Sequence, residues 1–253
     1  GFGGLSRPPG TFSTGALRAD PRSDRRGQRG TSRRIGSERV SLAAVILAAG
    51  RASRMGACKQ LLPIGRETLV TRAVSSAREA MCSPILVVTG AHSREVRRAL
   101  GDMGAVSVFN RHWRSGIASS IRVGLRRAGS AEAVFLLLAD QPFVGAPLLR
   151  LLHEALVSSG KTAAACRYDG TVGAPALFRR DWIPQLVRLT GDRGAGDLLA
   201  RRKSAVAIID FPEGRIDLDT PEDARRWLPR VLDQSDVAGL AVHPRIDEEA
   251  SVF

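Results

Sequence analysis

Aromatic residues are scarce: Phe, Trp and Tyr make up 5% of the 253 residues, and there is a single Tyr. A protein that holds single strands by base stacking needs such platforms, so the net charge of +13 is no sufficient sign of a nucleic-acid-binding module. No run of 18 apolar residues occurs, which excludes a membrane-spanning helix. Cys58, Cys82 and Cys166 are odd in number and widely spaced, with no C-x-x-C pair. Neither a disulfide framework nor a structural zinc site follows, and a reducing cytoplasm is the expected compartment. Lysine is rare too, at three residues against 35 Arg. Nine of those Arg lie in residues 1–40, where only Asp20, Asp24 and Glu38 oppose them. That leader is rich in Gly, Arg, Ser and Pro and lacks both aliphatic periodicity and the apolar centre of a secretory signal. It is expected to be disordered and dispensable.

Two common phosphate motifs are also missing. A Walker A loop requires G-x-x-x-x-G-K-[ST], but Gly50 and Gly56 are separated by five residues and Lys59 precedes Gln60. A dinucleotide fingerprint requires G-x-G-x-x-G, and position 52 is Ala.

What is present is alternation. Apolar runs at Ala43–Ala48, Ile85–Thr89, Ala105–Phe109, Ala133–Ala139, Thr162–Cys166 and Ala205–Asp210 read as strands. Helical periodicity marks Thr68–Met81, Ser93–Leu100, Ser119–Arg127, Ala146–Ser158, Arg180–Leu189, Ala195–Arg202 and Pro221–Leu228. Strands alternating with helices predict an α/β fold, a Rossmann-like three-layer sandwich with a mainly parallel sheet. The expected organisation is a leader over residues 1–40, one domain over 41–230 and a loosely ordered tail over 231–253.

In such sheets the ligand crevice opens beyond the carboxyl ends of the strands. The first strand runs straight into Leu47-Ala48-Ala49-Gly50-Arg51 and on through Arg54 and Gly56 to Lys59. Gly50 and Gly56 allow close backbone approach, and Arg51, Arg54 and Lys59 supply three cations to a polyphosphate. Cys58 lies beside Lys59 in a cationic loop that favours a thiolate, but a passive small residue is the expected reading. Farther on, seven apolar residues, Ala133 to Ala139, deliver the carboxylate of Asp140 to a strand's carboxyl end, and Pro142 stops the strand. Ser119 reads as a helix N-cap after a Gly loop.

The segment Leu47–Gly65, LAAGRASRMGACKQLLPIG, resembles the signature L-x-[AG]-G-x-x-x-R-M-G-x-x-K of the molybdenum cofactor nucleotidyltransferases, and residues 42–228 continue the likeness. The resemblance implies a fold of the nucleotide-diphospho-sugar transferase type and a Mg²⁺-dependent transfer of a nucleoside monophosphate from an NTP to molybdopterin. The L-A-A-G form of the turn implies CTP and the cytidylyltransferase, MocA-like branch. It makes Leu47, Ala48, Ala49, Gly50, Arg51, Gly56, Lys59, Asn110, Gly116 and Ser119 nucleotide-binding, and Arg54, Lys59 and Asp140 catalytic. Asp140, and Asp219 of the D-L-D-T-P-E-D segment, become the Mg²⁺ ligands; the helix signals of Thr220 to Asp223 leave Asp219 unexplained. Gly173, Pro175, Gly191, Asp192 and Arg193 fall on the acceptor side, where relatives carry G-H-P and this chain has Gly173-Ala174-Pro175. A molybdoenzyme or its maturation chaperone is the implied protein partner, with no membrane or specific nucleic acid. A guanylyltransferase or sugar-phosphate nucleotidyltransferase is the alternative within the class.

Overall fold

The computed structural model describes residues 40–51, 58–216, 218 and 221–235. At its centre, β1 (Leu42–Ala48), β4 (Ile85–Thr89), β5 (Val106–Phe109), β6 (Ala133–Leu138), β7 (Ala163–Tyr168), β8 (Thr171–Arg179) and β9 (Val206–Asp210) form one sheet. Its seven strands lie in the order β5-β4-β1-β6-β8-β7-β9. A two-stranded hairpin, β2 (Pro63–Ile64) and β3 (Glu67–Thr68), stands apart from it. β1 pairs parallel with β4 and β6, β4 with β5, and β7 with β9, while β8 is antiparallel to both its neighbours. The sheet is thus mainly parallel, as expected.

The unbroken apolar character of β1 has a simple cause: both of its faces are covered. Ala44, Ile46 and Ala48 pack on one side with Val70 and Val74 of α1 (Leu69–Glu79), Val96 of α2 (Ser93–Leu100) and Leu149, Leu152 and Leu156 of α4 (Ala146–Ser158). Ala43 and Val45 face the other way, onto Ile121 and Leu125 of α3 (Ile117–Leu125), Leu186 of α5 (Ile183–Leu186) and Leu198 and Leu199 of α6 (Gly196–Arg201). Helix, sheet and helix give the three layers. A smaller cluster of Ile64, Leu69, Leu218 and Val231 seats α7 (Pro221–Ser235).

All six expected strands form, their ends shifted by at most two residues. Four features differ. The stretch Thr171–Arg179, which no expected strand covers, forms β8; its Pro175 is tolerated because Ala165 pairs with Ala176 but Cys166 with Gly173, leaving Ala174 and Pro175 in a bulge. α3 begins at Ile117 with Gly116 as N-cap, so Ser119 is not the cap but lies inside the first turn. The stretch Arg180–Leu189 breaks into a 3₁₀ turn, Arg180–Trp182, and the one-turn α5, with Trp182 fully buried. α7 continues past Leu228 to Ser235 despite Pro229, so the tail expected from residue 231 starts inside a helix. Burial of Val231 and the edge-to-face contact of Trp227 with Phe143, at 6.2 Å, hold that helix together where propensity alone would end it. All three cysteines are free. Among the described residues no helix is long and apolar enough to cross a membrane.

Candidate functional site

β1, β4 and β6 end side by side, with Ala48 opposite Thr89 and Leu47 opposite Leu138, so their following turns meet over one crevice. Ala49 is buried, while Gly50 and Arg51 are exposed beyond it. Arg54, Gly56 and Asp219 lie outside the described residues. The chain is described again from Cys58, and a 3₁₀ turn, Lys59–Leu61, leads it back to the core. Gln60 fastens this return: its Nε2 donates to the Gly50 carbonyl at 3.4 Å and its Oε1 accepts from the Cys58 thiol at 3.0 Å. Burial pushes the Cys58 thiol up, against the opposing effect of the backbone near Gln60 and Leu61. Desolvation favours the neutral thiol, which suits a passive small residue at this position. Burial likewise raises Cys82, to about 12.

Lys59 Nζ and Asp140 Oδ2 stand 2.5 Å apart across the crevice, with their side chains 17% and 20% exposed. Two motifs separated by 80 residues of chain thus converge on one ion pair. The Asp140 carboxylate already holds a cation, in the form of the lysine ammonium. Among the described residues no group of three or more His, Cys, Asp or Glu could cage a metal. The arrangement suits an ion such as Mg²⁺, which is bound through one or two carboxylates and the oxygens of substrate phosphates.

The third wall is the segment Asn110–Ser120. Asn110 is fully buried and its amide is fully engaged: Nδ2 donates to Ser119 Oγ at 2.8 Å and Ser120 Oγ at 3.0 Å, and Oδ1 accepts from the His112 backbone N–H at 2.9 Å. Ser119 Oγ in turn lies 2.8 Å from the Gly116 carbonyl oxygen and 2.9 Å from that of His112. Asn110 and Ser119 therefore brace the turn from behind, while Gly116 and Ser120 face the crevice. The His112 side chain is exposed.

Gly116 has φ +97°, and a Cβ there would lie 2.2 Å from the Gly191 carbonyl. Two backbones are in direct contact at that point, reinforced by the Ala118 N–H donating to the Gly191 oxygen at 3.2 Å. This contact brings Asp192 to the crevice. Gly116→Ala is expected to destabilise the fold by about 1–3 kcal/mol, through a strained φ and a backbone clash. The loss is read as a lower chemical-denaturation midpoint.

The remaining acceptor-side residues sit farther off. Gln141, next to Asp140 and buried, donates from Nε2 to the carbonyls of Ala174 and Gly214, both at 3.1 Å, and Tyr168 Oη donates to the Ala174 carbonyl at 3.0 Å. Gln141 thereby couples the Gly173-Ala174-Pro175 bulge to the end of β6.

The crevice has a volume of about 520 Å³. Of the residues expected from sequence, Leu47, Ala49, Gly50, Arg51, Lys59, Gly116, Asp140 and Asp192 line it. Ala48, Asn110, Ser119, Gly173, Pro175, Gly191 and Arg193 do not. Gln60, Trp113, Arg114, Ile117, Ser120 and Leu138 also line it, although none of them is among the expected site residues. Of these, Trp113 and Ser120 carry a signal, since they flank the Gly116 turn in sequence. A larger groove, about 940 Å³, follows the outer edge of β9 between α4 and α6. It contains none of the convergent glycine turns or strand-end carboxylates that mark the crevice, so size does not identify the site here.

A family model described as the MobA-like NTP transferase domain matches residues 44–206. The purine catabolism protein PucB of Bacillus subtilis is 29% identical over 198 residues, covering 72% of this chain and 93% of that protein. The molybdenum cofactor cytidylyltransferase of Escherichia coli K12 is 26% identical over 180 residues, covering 71% and 91%. Among solved structures, Rv0371c from Mycobacterium tuberculosis H37Rv superposes with a TM-score of 0.65 at 33% identity, covering 75% of this chain and 98% of its own. A manganese complex of the same protein gives 0.60 at 31% identity and the same coverage. The layered sheet is that of the nucleotide-diphospho-sugar transferases. The family match covers most of the described domain, and the chain belongs to the MobA-like NTP transferase domain family and is a nucleotidyltransferase.

Proposed function

We propose that the protein is a Mg²⁺-dependent cytidylyltransferase that moves CMP from CTP to the terminal phosphate of a molybdopterin-type acceptor and releases pyrophosphate. The observation that carries this reading is the Lys59–Asp140 pair, which sets one cation and one carboxylate at the strand ends beside the Gly50 turn. The likeness to the Escherichia coli cytidylyltransferase and the manganese complex of Rv0371c support the base and the metal. In the reaction an acceptor phosphate oxygen attacks the α-phosphorus of CTP, and the bond from that phosphorus to the oxygen bridging the β-phosphate breaks. The protein has little proton chemistry to perform; it aligns reactants and neutralises charge. Arg51, Arg54 and the amides of the Gly50 turn hold the departing phosphates, and Lys59 exchanges its hold on Asp140 for the α-phosphate. Asp140 and Asp219 would hold Mg²⁺, which supplies charge neutralisation and orientation of the triphosphate. The Gln141-tied bulge borders the acceptor side. Residues 1–40 take no part in this chemistry, and the product serves a molybdoenzyme or its maturation chaperone.

Pyrophosphate release with each of the four NTPs, with and without molybdenum cofactor and across a Mg²⁺ titration, tests the reading. Release dependent on CTP and acceptor together is the expected result. Release with GTP alone among the nucleotides overturns the cytidine assignment, and release only with a sugar phosphate overturns the acceptor.

A further inference from the structure

The crevice holds an aromatic wall that phosphate and metal chemistry leave without a purpose. Trp113 and Arg114 both line it, and the Arg114 guanidinium carbon lies 4.5 Å above the centre of the Trp113 ring. Trp113 is one of three Trp in the chain, and its side chain is half open to solvent at the crevice. The wall is also built. The Trp113 backbone N–H donates to the Asn110 carbonyl at 3.3 Å, and Asn110 is fixed from Ser119, Ser120 and His112. Beneath the indole the fold keeps a glycine: a Cβ at Gly90 would lie 2.7 Å from Trp113 Cβ and 2.4 Å from the Ala49 carbonyl oxygen. Gly90 follows β4 directly, so it lets indole, phosphate turn and strand end pack with no side chain between them.

We propose that the Trp113–Arg114 pair is the platform on which the nucleobase of the NTP stacks, and that Gly90 is the positioning residue that sets the indole at stacking distance from the Gly50 turn. The inference rests on the nucleotidyl-transfer reading of the same crevice. An indole face stacks on any base, because every base presents a π-face. A guanidinium over the ring adds a planar cation that stacks in the same way. Trp113 therefore contributes affinity for nucleosides over bare phosphates, and leaves the choice among bases to other groups.

The test compares a ligand with a base and one without. Equilibrium binding of CTP in Mg²⁺ and of inorganic tripolyphosphate is measured for the full chain and for Trp113→Ala and Trp113→Phe. Trp113→Ala is expected to weaken CTP about tenfold and tripolyphosphate by less than about twofold, with Trp113→Phe recovering most of the loss. CTP should also quench the tryptophan fluorescence of the parent protein, and the quench should vanish in Trp113→Phe, which retains Trp182 and Trp227. Equal weakening of both ligands overturns the proposal and makes Trp113 a structural wall; unchanged CTP binding overturns it as well. If the parent protein binds tripolyphosphate but no NTP, the functional reading above falls with it.

Discussion

Asp140→Asn lowers turnover by about two to three orders of magnitude, the range expected when one preorganised charge is removed from a reacting centre. Asparagine fills the same space at the end of β6 but carries no negative charge to draw Mg²⁺ away from its tightly held waters. Raising Mg²⁺ should not restore the rate. Binding of CTP in the absence of metal should hold steady or tighten, because a carboxylate has been taken from beside a polyanion and Lys59 has lost its ion-pair contact with Asp140. Pyrophosphate release and metal-free nucleotide binding measured side by side check both halves of the expectation. Turnover within a few fold of the parent would remove Asp140 from the chemistry.

Lys59→Ala is the second large effect. It should cost at least about tenfold in kcat, equivalent to about 1.4 kcal/mol of transition-state stabilisation per factor of ten. The melting temperature should change little, because the pair opens onto the crevice, where water can take the place of the ammonium beside Asp140. Lys59→Arg should fail to restore activity: a guanidinium grips a carboxylate with two parallel bonds and would compete for Asp140. Combined with Asp140→Asn, the alanine substitution should add little further loss, as groups that act together fail together. Full additivity of the two losses would show that the 2.5 Å contact has no part in the cycle.

Strands buried on both faces are legible because a continuous apolar run too short for a helix fits nowhere in a folded chain so well as between two covering layers, and Ile85–Thr89 matches its run to the residue. β8 is not legible, because Gly173 and Pro175 read as turn residues when nothing in the local sequence announces a bulge. The start of α3 lies two residues ahead of the expected one for a related reason: Ser119 looks like a cap in isolation, but its hydroxyl is spent on Asn110 and the Gly116 and His112 carbonyls. In the site, the turn after β1 and Asp140 are readable from local pattern. The closeness of Lys59 to Asp140, and of Gly116 to Gly191, depends on strand order and on two backbones touching, which periodicity does not encode. Gln60 and Arg114 are ordinary in sequence and acquire their place only through the fold.

The sheet order has a consequence for how the site survives thermal fluctuation. β1 and β6 lie side by side in the interior, each bonded on both edges, and the two turns bearing Gly50 and Asp140 hang from them. β5 and β9, at the two borders, can fray without disturbing that mounting. Backbone amides of β1 and β6 then exchange with solvent only when the sheet opens as a whole, so local unfolding at either border leaves the crevice standing.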